Sequence, residues 1–193
     1  AGAFSDTVRV NYNNGVGTQT LARAVQGTGD VASLSISDGA TYDYGNVTAN
    51  LTADKTFTVT NSSAIVAASS MQAGTPALVA PYSFKGGNYP GTGGTCSDTL
   101  AASDTCWIVV RFAPTASGAT SNTIRISYND STVVQTATRA VQGTGAVAAL
   151  SISDGATYNY GNIVVNQISD KTFTVTNSSA IVATSSMQAG TPA

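Results

Sequence analysis

Arg23-Ala-Val-Gln-Gly-Thr-Gly29 returns as Arg139-Ala-Val-Gln-Gly-Thr-Gly145, 116 positions later. The same offset carries Leu34-Ser-Ile-Ser-Asp-Gly-Ala-Thr-Tyr42 onto Leu150 to Tyr158, and Lys55-Thr-Phe-Thr-Val-Thr-Asn-Ser-Ser-Ala-Ile-Val66 onto Lys171 to Val182. Between 23–77 and 139–193 ten of 55 positions differ, leaving 45 identical. Self-similarity at a fixed period marks a repeated structural unit, and 116 residues is the size of one domain. The chain therefore divides into the C-terminal part of one unit (1–29), a complete unit (30–145) and the N-terminal part of a third (146–193). That division predicts a window on a longer array. Val25 and Val141 are expected to end each unit's final strand, with Gly27-Thr28-Gly29 and Gly143-Thr144-Gly145 as the whole linkers, too short for free swinging.

The residues between these landmarks alternate. Val8, Val10 and Tyr12 face one way and Thr7, Arg9 and Asn11 the other, the period of a half-buried strand. Asn13-Asn14-Gly15 then signals a hairpin, because Asn and Gly tolerate the positive φ of tight turns. The same hairpin recurs as Thr123–Tyr128, the turn Asn129-Asp130-Ser131, and Val133–Val141. Further strands are predicted at Val31–Ile36, Asp54–Asn61, Leu78–Phe84 (at an edge, because of Pro81) and Cys106–Phe112. Tyr42 and Tyr44, two apart, share a face and suit core or rim packing. Lys85 to Thr95 is Gly-rich loop, the segment where mobility or a specialised contact is expected. Seven or eight strands per unit, without a helical period, predict tandem immunoglobulin-like β-sandwiches in an all-β fold.

Composition removes several functions. Charged residues make up 9% of the chain, the ten acidic residues are all Asp, and there is neither Glu nor His. Acid–base and nucleophilic catalysis need a base with an orienting partner, so no enzyme and no cofactor are expected. A net charge of -2 with dispersed Arg and Lys offers no patch for phosphates, which excludes nucleic acid as a partner. No stretch is apolar for long enough to cross a bilayer as a helix, and 42% apolar residues in alternation exclude disorder.

Cys96 and Cys106 flank a polar turn, a spacing that suits a local disulfide and an oxidising compartment; two free buried thiols are the alternative. In Cys106-Trp-Ile-Val-Val-Arg-Phe112 both faces are apolar, which places the strand between packed layers or against a neighbouring domain. Trp107, on the outer face, is the candidate for an inter-repeat or inter-chain contact, with ordinary local packing as the alternative.

Leu100 to Gly118, followed by Asn122 to Asp130, resembles the repeat of bacterial choice-of-anchor D surface proteins, an abnormal-spindle/hydin type of immunoglobulin-like domain. Tyr44-Gly-Asn-Val47, Lys55 to Asn61 and Val141 to Gly145 extend the resemblance over the whole repeat. It implies a paired Cys96 and Cys106, a cell-surface or extracellular bacterial location, and no catalysis. Ala102-Ser103 stands where the family carries Pro-Gly.

Three further chemistries have candidate residues in the sequence. Asp38, Asp43 and Asp54 could supply oxygens to calcium, but they lack a calcium-loop spacing and Asp43 becomes Asn159 in the next copy, so they are read as solvated turn residues without metal. Lys55 and Lys171 could form isopeptide cross-links to Asn, but a lysine at a strand mouth is normally solvated. Asn46, Asn50, Asn61, Asn129 and Asn177 match the glycosylation sequon, as chance predicts in so Ser/Thr-rich a chain.

Near-identical copies suit a structural array better than diverged binders. The expected function is an extracellular stalk, fibre or filament whose partners are neighbouring repeats and other copies. The alternatives are an adhesin repeat that binds a surface or glycan, and a homopolymer held by strand exchange.

Overall fold

The computed structural model describes residues 2–179 and 181–190; Ala1, Ala180 and 191–193, parts of the expected terminal segments, lie outside the described residues. No helix occurs among the described residues, so none is long and apolar enough to cross a membrane. The strands are β1 (Gly2–Asn13), β2 (Thr18–Gly29), β3 (Leu34–Ile36), β4 (Thr41–Thr48), β5 (Ala53–Asn61) and β6 (Ser69–Ala73). They continue as β7 (Tyr82–Phe84), β8 (Thr105–Phe112), β9 (Gly118–Asn129), β10 (Val134–Ala146), β11 (Leu150–Ile152) and β12 (Val175–Asn177).

Two four-stranded sheets face each other, with strand orders β3-β5-β8-β7 and β4-β10-β9-β6. The turn at Asp38-Gly39, both with positive φ, lets the chain leave the first sheet after β3 and enter the second as β4. β4 runs parallel to β10, placing Tyr42 opposite Val141 and Val47 opposite Gly145. The other pairings in the two sheets are antiparallel. A first strand split between sheets, and a β5-β8-β7 layer against a β10-β9-β6 layer, is the immunoglobulin-like arrangement.

Alternation builds the core. Phe57 and Val59 of β5, Ile108, Val110 and Phe112 of β8, Ile124 and Ile126 of β9, and Val141 of β10 are all fully buried. Each contributes roughly 1.5–3 kcal/mol by leaving water. Tyr42 and Tyr44 are half-buried beside them, Tyr42 edge-on to Phe57 and Tyr44 against Phe112. The Tyr44 hydroxyl donates to the Val110 carbonyl at 2.9 Å, and burial raises its pKa.

Gly143, Thr144 and Gly145 are strand, not linker. They lie inside β10, opposite Thr120, Ala119 and Gly118, and Gly27, Thr28 and Gly29 lie inside β2, opposite Phe4, Ala3 and Gly2. The glycines of β10 answer to close approach rather than to flexibility: a Cβ on Gly143 would meet the Phe112 ring at 2.8 Å, and one on Gly145 would collide with the Ala116 carbonyl. The connecting segments are instead Asp30-Val31-Ala32-Ser33 and Val147-Ala148-Ala149.

The Gly-rich segment is also more fixed than its composition suggests. Thr92 N–H donates to the Lys85 carbonyl at 2.7 Å, Val109 N–H to the Pro90 carbonyl at 2.8 Å, and Lys85 N–H to the Val109 carbonyl at 2.9 Å. The loop thus covers Val109, which is buried on the outer face of β8. On this face of β8 the unit's own loop covers Val109, while Trp107 stays half exposed.

β1 and β2 pair in the register of β9 and β10: Gly2 opposes Gly29 as Gly118 opposes Gly145, and Asn13 opposes Thr18 as Asn129 opposes Val134. β11 pairs with β12 as β3 pairs with the end of β5.

Candidate functional site

The two poles of the sandwich, where the chain enters and leaves, hold its most developed polar chemistry. At the entry pole Asn61 ends β5 with its side chain fully buried. Its Nδ2 donates to the carbonyls of Val66 at 2.9 Å, Ala101 at 3.1 Å and Leu100 at 3.3 Å. Its Oδ1 accepts the N–H groups of Ser63 at 3.2 Å and Ser33 at 3.3 Å. One carboxamide therefore satisfies backbone groups from three segments that would otherwise be buried without partners.

Asp130, in the β9–β10 turn, is buried too. Its Oδ1 accepts from Thr132 Oγ1 at 2.7 Å and from the N–H groups of Thr132 and Val133 at 2.8 Å, while its Oδ2 accepts from Gln135 Nε2 at 3.1 Å. These donors, the Val133 N–H foremost, hold its carboxyl far below the usual carboxylate range.

The entering segment is tied to both groups. Ala32, itself buried, donates its N–H to the Asp130 carbonyl at 3.1 Å, and Leu34 N–H donates to the Tyr128 hydroxyl at 3.2 Å. The Ser63 hydroxyl donates to Asp30 Oδ2 at 2.8 Å and lowers the pKa of that carboxyl. At the exit pole Ala49 N–H donates to the Ala146 carbonyl at 2.8 Å, and Asn50 N–H to the Pro114 carbonyl at 2.8 Å. The chain is thus hydrogen-bonded up to Ala146, and β11 begins at Leu150 after three intervening residues. The two entry segments are not identical: Ala146 and Ala149 stand where Asp30 and Ser33 do, so the Asp30–Ser63 bond has no counterpart at the second joint.

Cys96 and Cys106 form a disulfide, with Cα atoms 4.9 Å apart and both residues buried. Closing a loop of this size contributes about 3 kcal/mol by chain entropy. Trp107 is half exposed (50%) on the outer face of β8, opposite Thr58. Its backbone is held by Thr95, whose Oγ1 accepts the Trp107 N–H at 2.9 Å. Ser103 adopts a φ of 60°, a left-handed turn without the glycine the resemblance would place there.

The remaining candidates are dispersed. Asp38 accepts from Ser37 and pairs with Lys55 at 2.9 Å, Asp43 accepts from Gln142 at 2.8 Å, and Asp54 takes a two-pronged Arg111 at 2.7 and 3.0 Å plus Lys85 at 3.1 Å. The Arg111 bonds foremost depress the Asp54 pKa to about 2. No cluster of three metal-ligating side chains occurs among the described residues. Lys55 lies over the Tyr42 ring with its ammonium on Asp38, and Lys171 repeats this with Tyr158 and Asp154. Of the sequon asparagines, Asn46 and Asn50 are exposed, Asn129 and Asn177 half-buried, and Asn61 inaccessible.

The polar hub of Asn61, Asp130, Asp30 and Ser63 was not legible in the sequence, where Asn61 stands only in a chance sequon match and Asp130 only in a predicted hairpin turn. The available signal was recurrence, since Asn61-Ser62-Ser63 returns intact as Asn177-Ser178-Ser179.

No protein-family model matches the chain, and no curated protein sequence matches it. Among solved structures it is similar to the VesB protease of Vibrio cholerae, with 18% identity and a TM-score of 0.45 over 58% of this chain and 31% of that one. It is also similar to ASH/PapD-like domain 7 of human CEP192, with 13% identity and a TM-score of 0.42 over 60% of this chain and 87% of that one. A protein of unknown function from Porphyromonas gingivalis W83 matches at 12% identity and a TM-score of 0.37, over 74% and 66%. The chain spans about a third of the VesB length that it matches. The immunoglobulin-like assignment rests on strand order and pairing, not on these partial overlaps.

Proposed function

We propose that this chain is a structural segment of an extracellular array, in which 116-residue immunoglobulin-like repeats of the choice-of-anchor D type stack into a stalk or fibre on a bacterial surface. The observation that carries the proposal is the recurrence itself: 45 of 55 positions are identical at a constant offset, and the hairpin preceding Asp30 has the register of the hairpin that closes the complete unit. Units that need only present one shape to the next are free to stay identical. The disulfide supports an oxidising location. No catalysis is part of the proposal.

Stiffness follows from the poles rather than from linker brevity alone. A unit's exit is pinned at Ala146, the next unit's entry is pinned at Ala149, whose N–H donates to Asn177 Oδ1 at 3.4 Å and whose carbonyl accepts the Ser178 N–H at 2.9 Å, and only Val147 and Ala148 lie between. The test is a protein of two complete covalently joined repeats, followed by NMR relaxation and small-angle scattering. One elongated body with a common rotational correlation time is expected. Two independently tumbling domains would remove the mechanical basis of a stalk.

A further inference from the structure

The ten differences between 23–77 and 139–193 are not scattered. Six fall in one turn, where Val47-Thr-Ala-Asn-Leu-Thr-Ala53 is matched by Ile163-Val-Val-Asn-Gln-Ile-Ser169. Two more fall in the entering segment, where Ala146 and Ala149 stand for Asp30 and Ser33. Eleven of the 55 positions, 30–33 and 47–53, thus hold eight of the ten differences. Exposure alone does not account for this, because Asp38 to Thr41, Ser62 and Ile65 are exposed too and are identical in both copies. The backbone does not account for it either. Asn50 and Asn166 hold the turn at φ of 68° and 70°, and Leu51 N–H donates to the Thr48 carbonyl at 2.9 Å as Gln167 N–H donates to the Val164 carbonyl at 3.0 Å. One turn geometry carries two sets of side chains.

Both variable stretches lie at the same joint. Ala49 N–H donates to the Ala146 carbonyl at 2.8 Å, where the complete unit ends, and across the joint Ser178 N–H donates to the Ala149 carbonyl at 2.9 Å. From Ala146 to Ala149 the chain reaches at most about 11 Å. The β4–β5 turn of one repeat and the Asn177–Val182 loop of the next are therefore each one hydrogen bond away from the same short linker. Each presents an aliphatic side chain that its own sandwich leaves uncovered: Leu51 is 59% exposed, and Ile65, the equivalent of Ile181 in the complete unit, is 75% exposed. The loop has one shape in both copies, since Asn61 Nδ2 donates to the Val66 carbonyl at 2.9 Å and Asn177 Nδ2 to the Val182 carbonyl at 2.8 Å.

We infer that the β4–β5 turn of each repeat is the docking surface for the following repeat of the same chain, with Leu51 packed on Ile181, and that residues 47–53 individualise the joint. In the second copy the apolar anchor moves by one position, Gln167 standing for Leu51 and Ile168 for Thr52, while Val164 and Val165 stand for Thr48 and Ala49. That turn fits a successor with a differently shaped entry face. Repeats alike in their cores are then ordered by their joints, because a mismatched pair leaves its anchor without a partner.

This rests on the structural-array reading, and the test separates the two. Residues 30–193 completed by a second copy of 78–145 give two whole repeats in their natural order, to be followed by NMR. Contacts between the Leu51 and Ile181 methyl groups are expected. Leu51→Asp is expected to abolish them and to shift the 177–182 resonances of the second repeat. The amides of β5 and β8 in the first repeat, whose core Leu51 does not enter, stay in place and report that the variant is folded. Exchanging 47–53 for the sequence of 163–169 is expected to loosen the joint, so that the rotational correlation times of the two repeats diverge. Resonances at 177–182 that ignore Leu51→Asp, in a parent that tumbles as one body, overturn the contact and leave the stalk standing. An exchange that keeps the common correlation time overturns the role of 47–53. A parent whose repeats tumble independently removes the stalk reading and this contact with it.

Discussion

β9–β10 and β1–β2 are equivalent hairpins, identical at 16 of 28 positions, in two surroundings. Both have the same register and open their turns the same way, with Asn129 Oδ1 accepting from Ser131 N–H and Asn13 Oδ1 from Gly15 N–H, each at 2.8 Å. Yet Ile126 is fully buried and its equivalent Val10 is 54% exposed. The hairpin's geometry is local, set by turn chemistry and alternation, while its stability is borrowed from β4, β6 and the opposite sheet. A two-stranded hairpin alone is marginal in water.

The sharpest way to break the comparison is to truncate equivalent side chains. Ile126→Ala removes a fully packed side chain and is expected to cost about 2–5 kcal/mol. Val10→Ala, measured on dilute protein, is expected to fall within about 0.5 kcal/mol of the parent. Denaturant titrations of both variants read the difference. Equal costs would mean that the β1–β2 face is covered in dilute solution.

Glycine gives the second contrast. Gly143 and Gly27 occupy the same place in the repeat, but a Cβ at 143 meets the Phe112 ring whereas one at 27 meets nothing within 4 Å. Gly143→Ala is expected to destabilise by about 1–3 kcal/mol through overpacking. Gly27→Ala should change stability by a few tenths at most, because its strand faces solvent. Thermal melts of the two variants check this. A tolerated alanine at 143 would return the Gly-Thr-Gly stretch to the role of linker.

Those glycines also mark how far the sequence could be read. Alternation at Val8–Tyr12, Phe57–Val59 and Cys106–Phe112 exposed the strands, and turn residues exposed the hairpins, because both signals are local. What a glycine is for depends on what lies across from it, and Phe112 belongs to the opposite sheet. The inertness of the Lys85–Thr95 loop was hidden likewise: its hydrogen bonds run to β8, and a run of Gly and Pro looks the same whether pinned or free. Asn61 and Asp130 were illegible as a hub because a buried polar residue is recognised by its partners, and these come from Ser33, Val66, Ala101 and Gln135.

The smallest expected effect concerns the turns themselves. Asp130 is replaced by Asn14 in the first hairpin, and both side chains accept backbone N–H groups from the residues that follow, Thr132 and Val133 in one case, Val16 and Gly17 in the other. Only Asp130 titrates. Its folded pKa is depressed from an ordinary 3.8 because the donors around it favour the charged form. Its contribution is therefore complete above that ordinary value and drains away as pH falls below it, when the unfolded chain binds a proton that the folded one resists. Acidification from pH 5 to below pH 3 should loosen the β9–β10 turn and its hold on Ala32, while the β1–β2 turn is untouched. Asp130→Asn should flatten that part of the stability–pH curve without abolishing the fold, because a carboxamide oxygen still accepts the two N–H bonds as it does at Asn14. An unchanged slope in the variant would mean that the acid sensitivity arises elsewhere, first of all at Asp54, whose pKa of about 2 puts its own loss in the same range.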